Sequence, residues 1–64
     1  MKRRDLERHL RLHSCVLLRE GAKHSVFTNV QNGNDATIPR HTEIWPGLAR
    51  AICKQLDIPA PRGK

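Results

Sequence analysis

The chain of 64 residues has no tyrosine, one phenylalanine (Phe27) and one tryptophan (Trp45). Aromatic bulk therefore cannot build its core, and aliphatic side chains must fill most of it. A chain of this length buries only about 60% of its unfolded surface on folding. That bounds it to one domain, residues 1–64, with a small core and a stability that is modest or borrowed from a partner. Its two cysteines, Cys15 and Cys53, lack a C-x-x-C spacing, and no secretory apolar stretch precedes them. They read as buried thiols in a reducing cytosol. No run approaches the roughly 18 apolar residues of a membrane span, so the expectation is a cytoplasmic protein with no membrane partner.

Acidic residues are the other scarcity. Six Asp and Glu stand against twelve Lys and Arg, giving a net charge of +6 and a pI near 10.4. Such an excess favours polyanions: RNA, DNA or an acidic protein. The cations cluster in Lys2–Arg11, around Arg19 and Lys23, and from Arg40 onward, while Asn29–Pro39 holds none. That clustering suits a face rather than a tail.

Periodicity supplies the architecture. Leu6, His9, Leu10 and His13 recur at helical spacing, with Leu12 broadening the stripe. Three short strands follow, Cys15–Glu20, His24–Asn29 and Ala36–Ile38, separated by a turn at Gly21 and by the run QNGND. Pro39 must end the third strand or lie at a sheet edge, because it has no N–H to donate. Pro46 suits the first turn of a second helix, in which Leu48, Ala51, Ile52 and Leu56 recur, and Pro59 bars continuation beyond Ile58. The predicted fold is α+β: an α-β-β-β-α two-layer domain, a three-stranded antiparallel sheet with both helices on one face. The ordered core is expected over about residues 3–58 and a flexible tail over 59–64.

Strand parity then points to chemistry. If Phe27 faces the helices, Ser25 goes with it, and His24, Val26 and Thr28 stand on the open face. The first strand has no clear parity, since Cys15 and Leu17 alternate with the equally apolar Val16 and Leu18; a partner covering the second face would account for that. An imidazole titrates near neutrality, at about 6.5, so His24 is able to take or give a proton at cellular pH. RNA carries its own nucleophile in the 2′-hydroxyl. A ribonuclease without a metal thus needs little beyond a proton carrier and cations for the phosphate, and Arg19, Lys23 and Arg40 are candidates for that charge.

Other residues keep two readings each. His41 either joins Arg40 at a phosphate or, with Thr42, helps satisfy the free N–H groups of the second helix. Trp45 either caps a thin core or offers a stacking surface for a base or partner. The arginines of the first helix form either a solvated face or a stripe that contacts phosphates. His9, His13 and Cys15 have a spacing that zinc could use, but no fourth ligand follows. No metal and no cofactor are expected.

The stretches LLREGAKHSVFTN and IPRHTEIWPGLARAICKQLDI carry a resemblance. They are similar to the HicA, or YcfA-like, toxins of bacterial type II toxin–antitoxin systems, over nearly the whole chain from Asp5 to Ile58. The shared pattern is a G-x-x-H turn leading into a strand with an aromatic residue three places on, then P-R-H, then a helix ending in Q-L-x-I. Here these are Gly21, His24, Phe27, Pro39, Arg40, His41 and Gln55 to Ile58. The resemblance implies a fold like that of double-stranded-RNA-binding domains and an endoribonuclease, an mRNA interferase, with His24 catalytic. It implies mRNA and a HicB-type antitoxin as partners, the toxin being monomeric when free and part of a hetero-oligomer when neutralised. Ala22 and Lys23 stand where many members have Gly and Ser, and Cys15 where phenylalanine is usual.

Together these observations predict metal-independent mRNA cleavage at His24. Arg19, Lys23, Arg40 and His41 would contact RNA, and Val26 and Thr28 would face the antitoxin. The rival from another class is a non-catalytic RNA-binding or protein-interaction module in which His24 is incidental.

Overall fold

Only five stretches of the chain repeat their apolar residues with a helical or strand period, and those five become its regular elements. The computed structural model describes residues 1–61. In it α1 spans Arg3–Leu12, β1 Cys15–Glu20, β2 His24–Asn29, β3 Asp35–Pro39 and α2 Pro46–Gln55. The strands form one antiparallel sheet in the order β1-β2-β3. This is the α-β-β-β-α order expected from the sequence, with β3 one residue longer at each end.

The central strand sorts its side chains by alternation. Ser25, Phe27 and Asn29 are buried, while His24 is exposed and Val26 and Thr28 half-buried on the other face. Ala36 and Ile38 of β3 pair with Phe27 and Ser25 and are buried on the same side. Leu6 and Leu10 of α1, and Ala49, Ile52 and Cys53 of α2 with the following Leu56, join them in one core. Both helices therefore cover one sheet face and leave the other open.

Two helix positions differ from expectation. Leu12 is 76% exposed, because two residues beyond Leu10 turn it about 200° around the axis. On α2 Ala51 is exposed and Ala49 points inward in its place, while Cys53 is buried as expected. Small side chains on that helix make its faces hard to tell apart by size.

In β1 the register shifts between Leu17 and Arg19. Leu17 pairs with Phe27 and so lies on the helix side, yet Arg19 pairs with Val26 and lies on the open side. Strict alternation would have kept Arg19 with Leu17. The extra residue of the bulge moves it across, and Val16, Leu17 and Leu18 are left 45%, 47% and 55% exposed.

The ends are tied by backbone and amide groups. Lys2 bridges Glu43, Ile44 N–H donates to the Met1 carbonyl (2.8 Å) and Arg3 N–H to the Thr42 carbonyl (2.8 Å). Thr42 thus serves α1, whereas the sequence suggested a role at α2. At the other pole, Asn29 Nδ2 and Asn32 Nδ2 both donate to the Leu56 carbonyl, at 2.9 and 3.2 Å. These bonds fasten the end of α2 to the β2–β3 turn. The Pro59 carbonyl lies 2.8 Å from His9 Nε2; of the tail expected over 59–64, residues 62–64 lie outside the described residues.

Cys15 and Cys53 are free thiols, 0% and 1% exposed. Burial pushes both thiol pKa values up; the neighbouring Cys15 raises Cys53 further, to about 11. Such thiols are protonated and unreactive at neutral pH. In the folded protein at pH 8, iodoacetamide is expected to label neither cysteine over a time that labels both in urea. Rapid labelling of either in the native state would contradict the core described here. Because the native state holds these protons more tightly, the associated stability is intact below the unfolded thiol pKa of about 9. It is lost as pH rises towards about 11.

Candidate functional site

The link between β1 and β2 begins at Gly21, whose N–H donates to the His24 carbonyl at 2.7 Å. A Cβ on Gly21 would sit 3.1 Å from that same oxygen, so the close approach favours glycine. Among the described residues only Ser14 and Asp57 are non-glycine positions with positive φ. Ala22 and Lys23 consequently need no left-handed backbone, and the turn accommodates them in place of the Gly and Ser frequent in the similar toxins.

Arg40 holds this turn from the side. Its N–H donates to the Lys23 carbonyl (3.3 Å), and its Nη1 donates to the Gly21 carbonyl (3.1 Å) and pairs with Glu20 Oε2 (2.7 Å). The guanidinium is thereby partly committed to the protein itself. Sequence reasoning missed Glu20 as its partner, because the two residues meet only when β3 ends beside the turn.

Opposite His24 stands Pro39. Together Ala22, Lys23, His24, Pro39, Arg40 and His41 line an open cleft of about 380 Å³. Four of the residues singled out in the sequence, Lys23, His24, Arg40 and His41, are thus brought to one place. Arg19 is not in the cleft lining; it lies on the same sheet face, opposite Val26, two positions along β2 from His24. Arg19 and Lys23 have no ion-pair partner among the described residues, which leaves their charge available to an anion. His24 is exposed, so its imidazole is free to meet a ligand. Val26 and Thr28 continue the open face, beside Thr37 and Asp35 on β3 and Arg19 and Val16 on β1.

The remaining candidates are less concentrated. On α1, Arg3 and Arg11 pair with Glu7 (3.1 and 3.7 Å) and Arg8 with Asp5 (3.9 Å). That helix is therefore no uniform cationic stripe, although Lys2 and Arg4 are exposed and unpaired among the described residues. Trp45 is 62% exposed at the start of α2, and its side chain makes no capping hydrogen bond to that helix. His9 and His13 lie with ring centroids 4.6 Å apart and their planes tilted by 57°, and Cys15 Sγ is 3.6 Å from the His13 carbonyl. No group of three or more His, Cys, Asp or Glu comes together among the described residues. No described helix is long and apolar enough to cross a membrane.

Comparison with known proteins gives one assignment. No curated protein and no solved structure gives a significant match to the chain. The family model described as the HicA toxin of bacterial toxin-antitoxin matches residues 3–58, which takes in both helices, the sheet and the whole His24 cleft. The chain belongs to the HicA toxin family, the toxin component of bacterial toxin-antitoxin pairs.

Proposed function

We propose that the chain is a metal-independent endoribonuclease that cuts mRNA at the His24 cleft. The observation that carries this reading is the convergence of His24, His41, Lys23 and Arg40 in one open cleft. His24 acts as general base and removes the proton of a ribose 2′-hydroxyl; the oxygen attacks the adjacent phosphorus, and the P–O5′ bond breaks. His41, in the same cleft, returns a proton to the departing 5′-oxygen. The products of this step are a 2′,3′-cyclic phosphate and a 5′-hydroxyl end. Lys23 and Arg19 hold the phosphate and stabilise its developing charge. Arg40 keeps the turn in place and adds its own field.

Regulation follows from the same face. A HicB-type antitoxin would dock on the open side of the sheet, over Val26 and Thr28 and the exposed Val16 and Leu18, and cover His24. The fold is unaltered by such masking. The free toxin is then a monomer in the cytoplasm, and the silent form a hetero-oligomer.

The test uses paired substrates in the presence of EDTA. The purified chain is expected to cut an all-ribose oligonucleotide, to release a cyclic phosphate end, and to leave the 2′-deoxy version intact. Cleavage of the deoxy strand at a similar rate, or a requirement for added magnesium, would overturn the mechanism. Binding of both strands without cleavage of either would favour the non-catalytic module.

A further inference from the structure

We propose that a second hollow, at the start of α1, binds the phosphodiester adjacent to the one held at His24. A single RNA strand would then run from the β1–β2 turn across Arg40 and His41 to Lys2 and Arg4. The proposal rests on the ribonuclease reading for the identity of its ligand.

The hollow has a volume of about 370 Å³ and lies between Lys2, Arg3, Arg4 and Glu7 on one side and the Arg40–Thr42 segment on the other. Arg40 and His41 line both this hollow and the His24 cleft. The two spaces therefore share a wall, and a strand leaving one enters the other. The long-range bonds from Met1 and Arg3 to the segment before α2 create this arrangement, since they draw the start of α1 against the end of β3.

Its charge is almost entirely positive. Among the described residues Glu7 is the sole acid in the lining, and it is taken by Arg3 at 3.1 Å and Arg11 at 3.7 Å. Arg3 is held further by donating from Nη2 to Ser25 Oγ at 2.9 Å, and its Nε–H has no partner among the described residues. Lys2 and Arg4 are exposed and have no ion-pair partner among the described residues. Exposed cations spread around an open hollow suit a polyanionic strand, which gains affinity by releasing condensed counterions.

The lining also separates RNA from the antitoxin as occupant. Among the described residues no Leu, Ile, Val, Met or aromatic hydrocarbon side chain lines it, whereas protein interfaces are built around an apolar centre. The exposed apolar residues Val16, Leu17 and Leu18 lie instead on β1.

The experiment measures binding in a protein that already carries His24→Ala, so that cleavage plays no part. A fluorescent single-stranded RNA spanning both hollows is titrated at several salt concentrations. Adding Lys2→Ala and Arg4→Ala is expected to weaken binding about tenfold at low salt and to lower the slope of log K against log salt by about 1 to 2. The pair Lys2→Gln and Arg4→Gln, which keeps a polar side chain but removes the charge, should lose as much. Arg50→Ala with Lys54→Ala on α2, and a dinucleotide with one phosphodiester as probe, should show no such loss.

Unchanged affinity and slope in the Lys2 and Arg4 variants would overturn the proposal. So would equal weakening of the dinucleotide, or competition by inorganic phosphate as effective as by RNA, since either marks an isolated phosphate site. Weakened antitoxin binding with RNA affinity intact would overturn it in favour of a protein contact. Failure here leaves cleavage at His24 standing, and a wild-type chain that cuts no RNA leaves this binding result standing.

Discussion

Replacing His24 with alanine is expected to slow RNA cleavage by about 100- to 10,000-fold, the range over which a positioned proton carrier acts. The loss should fall on kcat. His24 is exposed and its ring makes no hydrogen bond within the described protein, so its removal costs no core packing; exposed substitutions of this kind stay within about 0.5 kcal/mol. Affinity for RNA should hold because Lys23, Arg19 and Arg40 remain. Expression of the His24→Ala protein should also cease to inhibit growth. A variant that cleaves normally would sink the catalytic assignment, and one that unfolds would show that the ring has a structural role the structure does not reveal.

Phe27→Ala is expected to destabilise the fold by about 3–5 kcal/mol. Phe27 is 1% exposed at the middle of the central strand, between Leu17 on β1 and Ala36 on β3. No other phenylalanine exists to share its volume. Domains of this size have a total stability of about 3–10 kcal/mol, so the variant should be largely unfolded at 37 °C by circular dichroism. Val26→Ala, one residue away on the open face, should cost under about 1 kcal/mol because its side chain is only half-buried. Equal melting temperatures for the two variants would contradict the placement of the core on one face of the sheet.

What the sequence disclosed depended on how much contrast it carried. In β2 the one phenylalanine set the parity: with Phe27 facing the helices, Ser25 follows it inward and His24, Val26 and Thr28 fall on the open face. In β1 the run Cys15, Val16, Leu17 and Leu18 has no such contrast. The bulge there is a property of pairing with β2, and it alone decides that Arg19 shares a face with Val26. Helix α2 shows the same effect: Ala49 and Ala51 are the same size, and tertiary packing chose between them.

The site divides in the same way. The histidine, its neighbouring lysine and the P-R-H segment were recognisable from residue types. Their meeting in one cleft was not, because it depends on β3 ending opposite His24 and on Arg40 reaching back to Glu20 and Gly21. The hollow beside Lys2 was hidden for a similar reason. It exists only because the chain start pairs with Glu43, a contact between residues 41 positions apart that no local pattern announces.

Silencing by a docked antitoxin presupposes that the imidazole of His24 does the chemistry. Chemical rescue measures that directly. Free imidazole added to the His24→Ala protein occupies the space the side chain leaves, in an open cleft of about 380 Å³. The expected result is RNA cleavage that rises in proportion to imidazole concentration, with the same cut positions as the wild type. Cleavage by His24→Ala at the wild-type rate, indifferent to imidazole, would contradict it.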